Sequence, residues 1–111
     1  MNLLFVQFQV GRMRELSGGL QRVRGSTLMV TVDPAATAAA ILDIAVQKHR
    51  ACDWTVIDTQ YDLLYPDGQL VQCLPGTQEP FTLSGYKNFM GKAYQKLILF
   101  LCAHEDYTAG K

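Results

Sequence analysis

TLSGY, residues 82–86, followed by KLILFLC at residues 96–102, is the pair of segments on which the reading of this chain turns. The second segment is the plainer one. Leu97, Leu99 and Leu101 fall on one side of an extended chain and Ile98 and Phe100 on the other, the period of two of a β-strand. The first segment sets a leucine and a tyrosine around serine and glycine, and it predicts a tight turn that leads into this last strand.

Working outward, Leu4, Val6, Phe8 and Val10 alternate with Phe5, Gln7 and Gln9, which predicts a half-buried strand over residues 3–10. Residues 11–25 carry Gly11, Gly18, Gly19 and Gly25 among polar residues and read as a long turn. STLMVTV then predicts a second strand, with Leu28, Val30 and Val32 inward and Thr27, Met29 and Thr31 outward. Asp33-Pro34 predicts the start of a helix, because aspartate accepts from free first-turn amides and proline suits the first helical position. That helix is expected to reach about Arg50, with Ala38, Ile41, Leu42, Ala45 and His49 on one stripe. His49 reads as a partly buried helix-end histidine rather than a catalytic base. Trp54 and Ile57 are expected to tuck onto the core, with a surface position for Trp54 as the alternative. YDLLYPDGQLVQCL predicts two strand-like segments around the turn Pro66-Asp67-Gly68, and LPGTQEPF at 74–81 a loop. The order strand, strand, helix, strand, strand, connector, strand implies an α+β fold: a mixed sheet of four to five strands packed on one main helix.

Composition narrows the function classes. The chain has 111 residues, 49% of them apolar, with 10 basic and 10 acidic side chains. One domain over residues 1–103 is expected, followed by a polar, flexible tail at 104–111. The balanced charge argues against a nucleic-acid binder. Gln7 and Gln9 interrupt the N-terminal apolar run in a way that suits a strand and not a signal peptide, and residues 97–103 are too few to cross a bilayer. The expectation is a soluble intracellular protein, cytoplasmic or nuclear, without membrane attachment. Cys52, Cys73 and Cys102 are odd in number and lack CxxC spacing, so they read as free thiols, with no metal site. No GxxxxGK or GxGxxG segment appears, and no carboxylate pair is placed by spacing, so neither a cofactor nor an enzymatic activity is expected. A nucleophile built from Cys73 or Cys102 and a nearby histidine is weighed against the commoner buried strand cysteine.

The element order, with Asp33-Pro34 opening the helix and Thr82-Leu83-Ser84-Gly85-Tyr86 before the last strand, resembles ubiquitin and its β-grasp relatives. In ubiquitin L-I-F-A-G-K-Q-L leads to T-L-S-D-Y and a closing strand of alternating leucines. Here the matching pieces are Leu63 to Leu70, then Thr82 to Tyr86, then Leu97 to Leu101, and the resemblance covers roughly residues 1–102. It implies that Leu83 enters the core and that Tyr86 pins a tight turn, with Gly85 in place of the family's aspartate and able to take up a positive φ. It also implies a protein-docking role through the open sheet face, at the apolar positions Leu64, Ile98 and Phe100. Phe5 and Met29 extend that surface, and the partner is expected to be a component of the ubiquitin system. The end Thr108-Ala109-Gly110-Lys111 departs from the family's terminal diglycine, which implies a non-conjugated docking domain of a larger protein.

Two other binding classes stay open. Ras-association-like modules share the β-grasp core and meet a small GTPase through basic residues near the second strand, where Arg22 and Arg24 precede TLMVTV. A structural role, with the apolar face joining two copies as a homodimer, is the other.

Overall fold

The computed structural model describes residues 5–110; Leu3, Leu4 and Lys111 lie outside them. The elements run β1 (Val6–Leu16), β2 (Gly19–Arg22), β3 (Leu28–Val32), α1 (Ala38–Cys52), β4 (Tyr61–Leu64), α2 (Leu83–Met90), β5 (Ile98–Ala103) and α3 (His104–Ala109), with a 3-10 turn at Tyr94–Lys96. The strands form one mixed sheet in the order β2-β1-β5-β4, with β3 beside β1 as well. β1 is parallel to β5 and antiparallel to β2 and β3, and β4 is antiparallel to β5. This is an α+β architecture, a mixed five-stranded sheet with a single main helix, and it is compatible with a β-grasp fold.

Side-chain alternation places the core. Phe8 and Val10 of β1, Val30 and Val32 of β3, Leu63 of β4 and Leu99 and Leu101 of β5 point to one face and are buried there with Leu97. Ile41, Ala45 and His49 on the inner stripe of α1 close over them, with Ala38 and Leu42 at the margin. Burial of each large aliphatic or aromatic side chain contributes about 1.5–3 kcal/mol, so this layer is the main source of stability.

Residues 11–25 are not a long turn. β1 continues to Leu16, and a two-residue turn at Ser17-Gly18, both with positive φ, reverses the chain into β2, so that Leu16 faces Gly19. β2 and β3 are then one return strand interrupted by an excursion at residues 23–26. There Arg12 keeps its backbone bonds, accepting from Val23 N at 2.8 Å and donating to Ser26 Oγ at 3.0 Å. Glycine content suggested a loop, but of the four glycines in this segment only Gly18 and Gly25 take the left-handed backbone that glycine favours.

Asp33-Pro34 does not open the helix. The Asp33 carboxylate accepts from Ala35 N at 2.8 Å in a local turn, and Thr37 is the true cap, accepting from Ala40 N at 3.2 Å. The intervening backbone is used elsewhere: Ser84 N donates to Pro34 O and Leu83 N to Ala36 O, and Thr37 bridges Thr82.

That bridge explains TLSGY. The motif is the first part of a helix rather than a tight turn. Thr82 caps α2, accepting from Gly85 N at 3.2 Å, and Gly91 in the left-handed region ends it. Leu83 is fully buried, and the Tyr86 ring packs with Tyr65 and Phe81 at centroid separations of 5.3 and 5.6 Å. Gly85 is helical, not at positive φ. What it supplies is room, since a Cβ there would stand 2.9 Å from Leu74 Cδ1. The strand expected after Pro66-Asp67-Gly68 is reduced to a short pairing, with Tyr65 N donating to Gln69 O and Val71 N to Leu63 O.

Candidate functional site

The sheet has a second face, and α1 leaves it uncovered. Strand alternation puts Met13, Leu64, Phe100 and Cys102 there, on β1, β4 and β5. The expectation of an exposed apolar patch at Leu64 and Phe100 is corrected by their burial: Leu64 is 0% and Phe100 2% exposed. With Met13 and Cys102 they form a second cluster, flanked by the partly buried Leu20, Leu70, Ile98 and Tyr107. Leu20 comes from the β2 hairpin, Leu70 from the turn after β4, and Tyr107 from α3.

α3 occupies the segment read as a flexible tail. His104 N donates to Gln60 O at 2.9 Å, and His104 Nδ1 lies 2.7 Å from Asp62 Oδ2. Gly110 seats against Leu20 so closely that a Cβ would fall 2.8 Å from its side chain. A cleft of about 560 Å³ remains between α3, β2 and the Pro66–Leu70 turn, with Met13, Leu20 and Tyr107 among its walls.

The other half of the same face is open. Phe5, just before β1, is 60% exposed and Met29 on β3 is 37% exposed, while Ile98 on β5 is half-buried. Met29 faces Gln9 across β1–β3, and Gln9 faces Ile98 across β1–β5, so the three make one row over three strands. Gln9 Nε2 donates to Gln95 O at 2.8 Å and Gln7 Nε2 to Thr31 Oγ1 at 3.3 Å, which orients the polar side chains between the apolar ones. A groove of about 520 Å³ runs beside them, lined by Phe5, Gln7 and Tyr94.

The arginines are divided. Arg22 lies over the Phe100 ring, 4.8 Å from its centroid, as part of the lid on the second cluster. Arg12 pairs with Asp53 at 3.2 Å. Arg24 is exposed at the excursion between β2 and β3.

The histidines and cysteines differ in their surroundings. His49 is 2% exposed, with Nε2 2.8 Å from Val10 O, and burial pushes its pKa below the usual histidine value. Cys102 is fully buried and its thiol is pushed up to about 12 by desolvation. Cys73 is partly buried and Cys52 exposed. No group of three or more His, Cys, Asp or Glu suited to a metal ion occurs among the described residues, and no described helix is long and apolar enough to cross a membrane.

One surface feature differs from the sequence reading. Trp54 is 91% and Ile57 65% exposed, whereas Val56 between them is buried. Asp53 ends α1 and its carboxylate accepts from both Thr55 N and Thr55 Oγ1, a local turn that aims Trp54 outward. The DWT triplet carries the signal for that turn. Comparison with protein-family models, with curated proteins and with solved structures found no match.

Proposed function

We propose that this chain is a ubiquitin-like, non-catalytic protein-interaction module of the docking type, binding a component of the ubiquitin system through the open half of its sheet. The reading is supported by the element order and the central parallel pair β1–β5, both compatible with a β-grasp core. The observation that carries it is the row Met29–Gln9–Ile98 with Phe5 beside it: Phe5 and Met29 are exposed and Ile98 is half-buried at the margin, while the neighbouring half of that face is closed. Exposed aromatic and methionine side chains of this kind are favoured in interface cores.

The test is amide chemical-shift mapping of the labelled protein against a panel of ubiquitin-system proteins and GTP-loaded small GTPases. The expected shifts cluster at Phe5, Met29 and Ile98, and Ile98→Asp removes them without altering the far-UV spectrum. Shifts confined to Arg22 and Arg24 would replace this reading with GTPase association.

A further inference from the structure

We propose that the free edge of β3 pairs with β3 of a second copy of this chain, antiparallel and about a two-fold axis through Met29. Among the described residues β3 pairs with β1 alone, so its other edge is unpaired. The far side of the sheet is protected differently, because residues 69–71 return along β4. Edge strands are normally guarded by charge, proline or a bulge, and Leu28–Val32 contains neither a charge nor a proline.

The sequence of this edge is self-complementary. Thr27-Leu28-Met29-Val30-Thr31 reads in side-chain class the same in both directions. A two-fold axis normal to the sheet requires a residue to face its own copy, which keeps every side chain on its original face. With Met29 opposite Met29 of the second copy, Thr27 meets Thr31 on the open face and Leu28 meets Val30 on the helix face. These are favourable cross-strand pairs on both faces. The structure agrees with this division: Thr27, Met29 and Thr31 are exposed, while Leu28 is half-buried and Val30 buried.

Charge favours the same register. Arg24, exposed in the excursion that precedes the pairing, comes toward the end of the second copy's strand, where Asp33 is exposed. Symmetry makes this arginine–aspartate approach twice. The excursion at residues 23–26 ends the pairing there and keeps β2 out of it. The result is one continuous sheet, with the open rows of both copies side by side. This inference does not rest on the docking role, since a monomer could still bind a partner through Phe5 and Ile98.

The test is sedimentation velocity of the whole chain from micromolar to millimolar concentration, with hydrogen exchange read at β3. A concentration-dependent dimer that slows exchange within Leu28–Val32 is expected. Met29→Lys, at an exposed position, sets like charges opposite each other and should weaken the dimer roughly tenfold. Arg24→Glu should weaken it by a comparable factor, and Asp33→Asn, which retains the side-chain acceptor for Ala35, by a smaller one. A chain that stays monomeric at millimolar concentration overturns the proposal. So does a dimer indifferent to Met29→Lys and Arg24→Glu, or a monomer whose β3 edge instead takes up an acidic strand of another protein.

Discussion

Phe100 lies across Gly11: a Cβ on residue 11 would stand 2.9 Å from Cε2 of the ring and 3.1 Å from Cδ2. The two residues face each other across the parallel pair β1–β5, and the guanidinium of Arg22 packs over the same ring. The glycine is therefore a matter of space, and its backbone is ordinary strand.

Gly11→Ala should accordingly destabilise the protein by about 1–3 kcal/mol, the usual cost of overpacking a filled core. Urea denaturation measures it. Phe100→Leu alone should also destabilise, but the double variant should be less unstable than the sum, because the smaller side chain vacates the contact. Additive losses would show that the ring and residue 11 do not press on each other.

Stability should fall as the pH drops below about 6.5, the unperturbed histidine value, because of His49. Burial lowers its pKa in the fold, with Arg12 acting in the same sense; the bond to Val10 O and the charge of Asp53 oppose it. The unfolded chain then binds the proton more readily than the native one, so the contribution is complete above the unfolded pKa and is lost as pH decreases. Nε2 must donate to Val10 O, which the neutral imidazole does. Asp53, whose pKa is lowered chiefly by hydrogen bonds from Thr55, adds a separate loss at more acid pH, through and below about 3.8. Urea midpoints across this range should show both steps in the native chain, and only the acid step in His49→Gln.

Cys52 and Cys102 should react at very different rates. Cys52 is exposed and should be modified at once by a thiol reagent, whereas Cys102, buried and with its thiol pushed up to about 12, should wait for the fold to open. Removing residues 104–111 takes away α3 and Tyr107, and should speed Cys102 modification about tenfold or more by local opening. Binding of a hydrophobic dye should rise with it. An unchanged rate would assign the protection of Cys102 to the β2 hairpin instead.

What could be read from the sequence follows a physical division. Phe8 and Val10, Val30 and Val32, the α1 stripe and Leu97, Leu99 and Leu101 were legible, because each obeys the period of its own element. The faces of Leu64 and Phe100 were legible for the same reason. Their burial was not, since it depends on Leu20, Leu70 and Tyr107, which come from three distant segments. Gly11 read as a turn because a glycine needed for a neighbour's volume looks the same as one needed for its φ. Asp33-Pro34 and TLSGY were misassigned together: each is locally a good cap or turn, and the bridge between Thr37 and Thr82 decides between the alternatives. The row survives in part, with Phe5 and Met29 exposed and Ile98 half-buried, because strand alternation alone determines which face it occupies.

The parallel pairing of β1 with β5 also orders events during synthesis. Gln9 faces Ile98, so the first described strand receives its second neighbour only after residues 98–103 have been made. Until then β1 can form its hairpin with β2 and β3, whose contacts are local, but its other edge stays open and Phe8 and Val10 lack the leucines of β5. The long loop from β1 to β5 must close before the sheet is complete, the kind of distant contact that slows folding. A nascent chain halted before Leu97 would hold a formed hairpin with an unsatisfied strand edge, and would be prone to pair with whatever strand it met first.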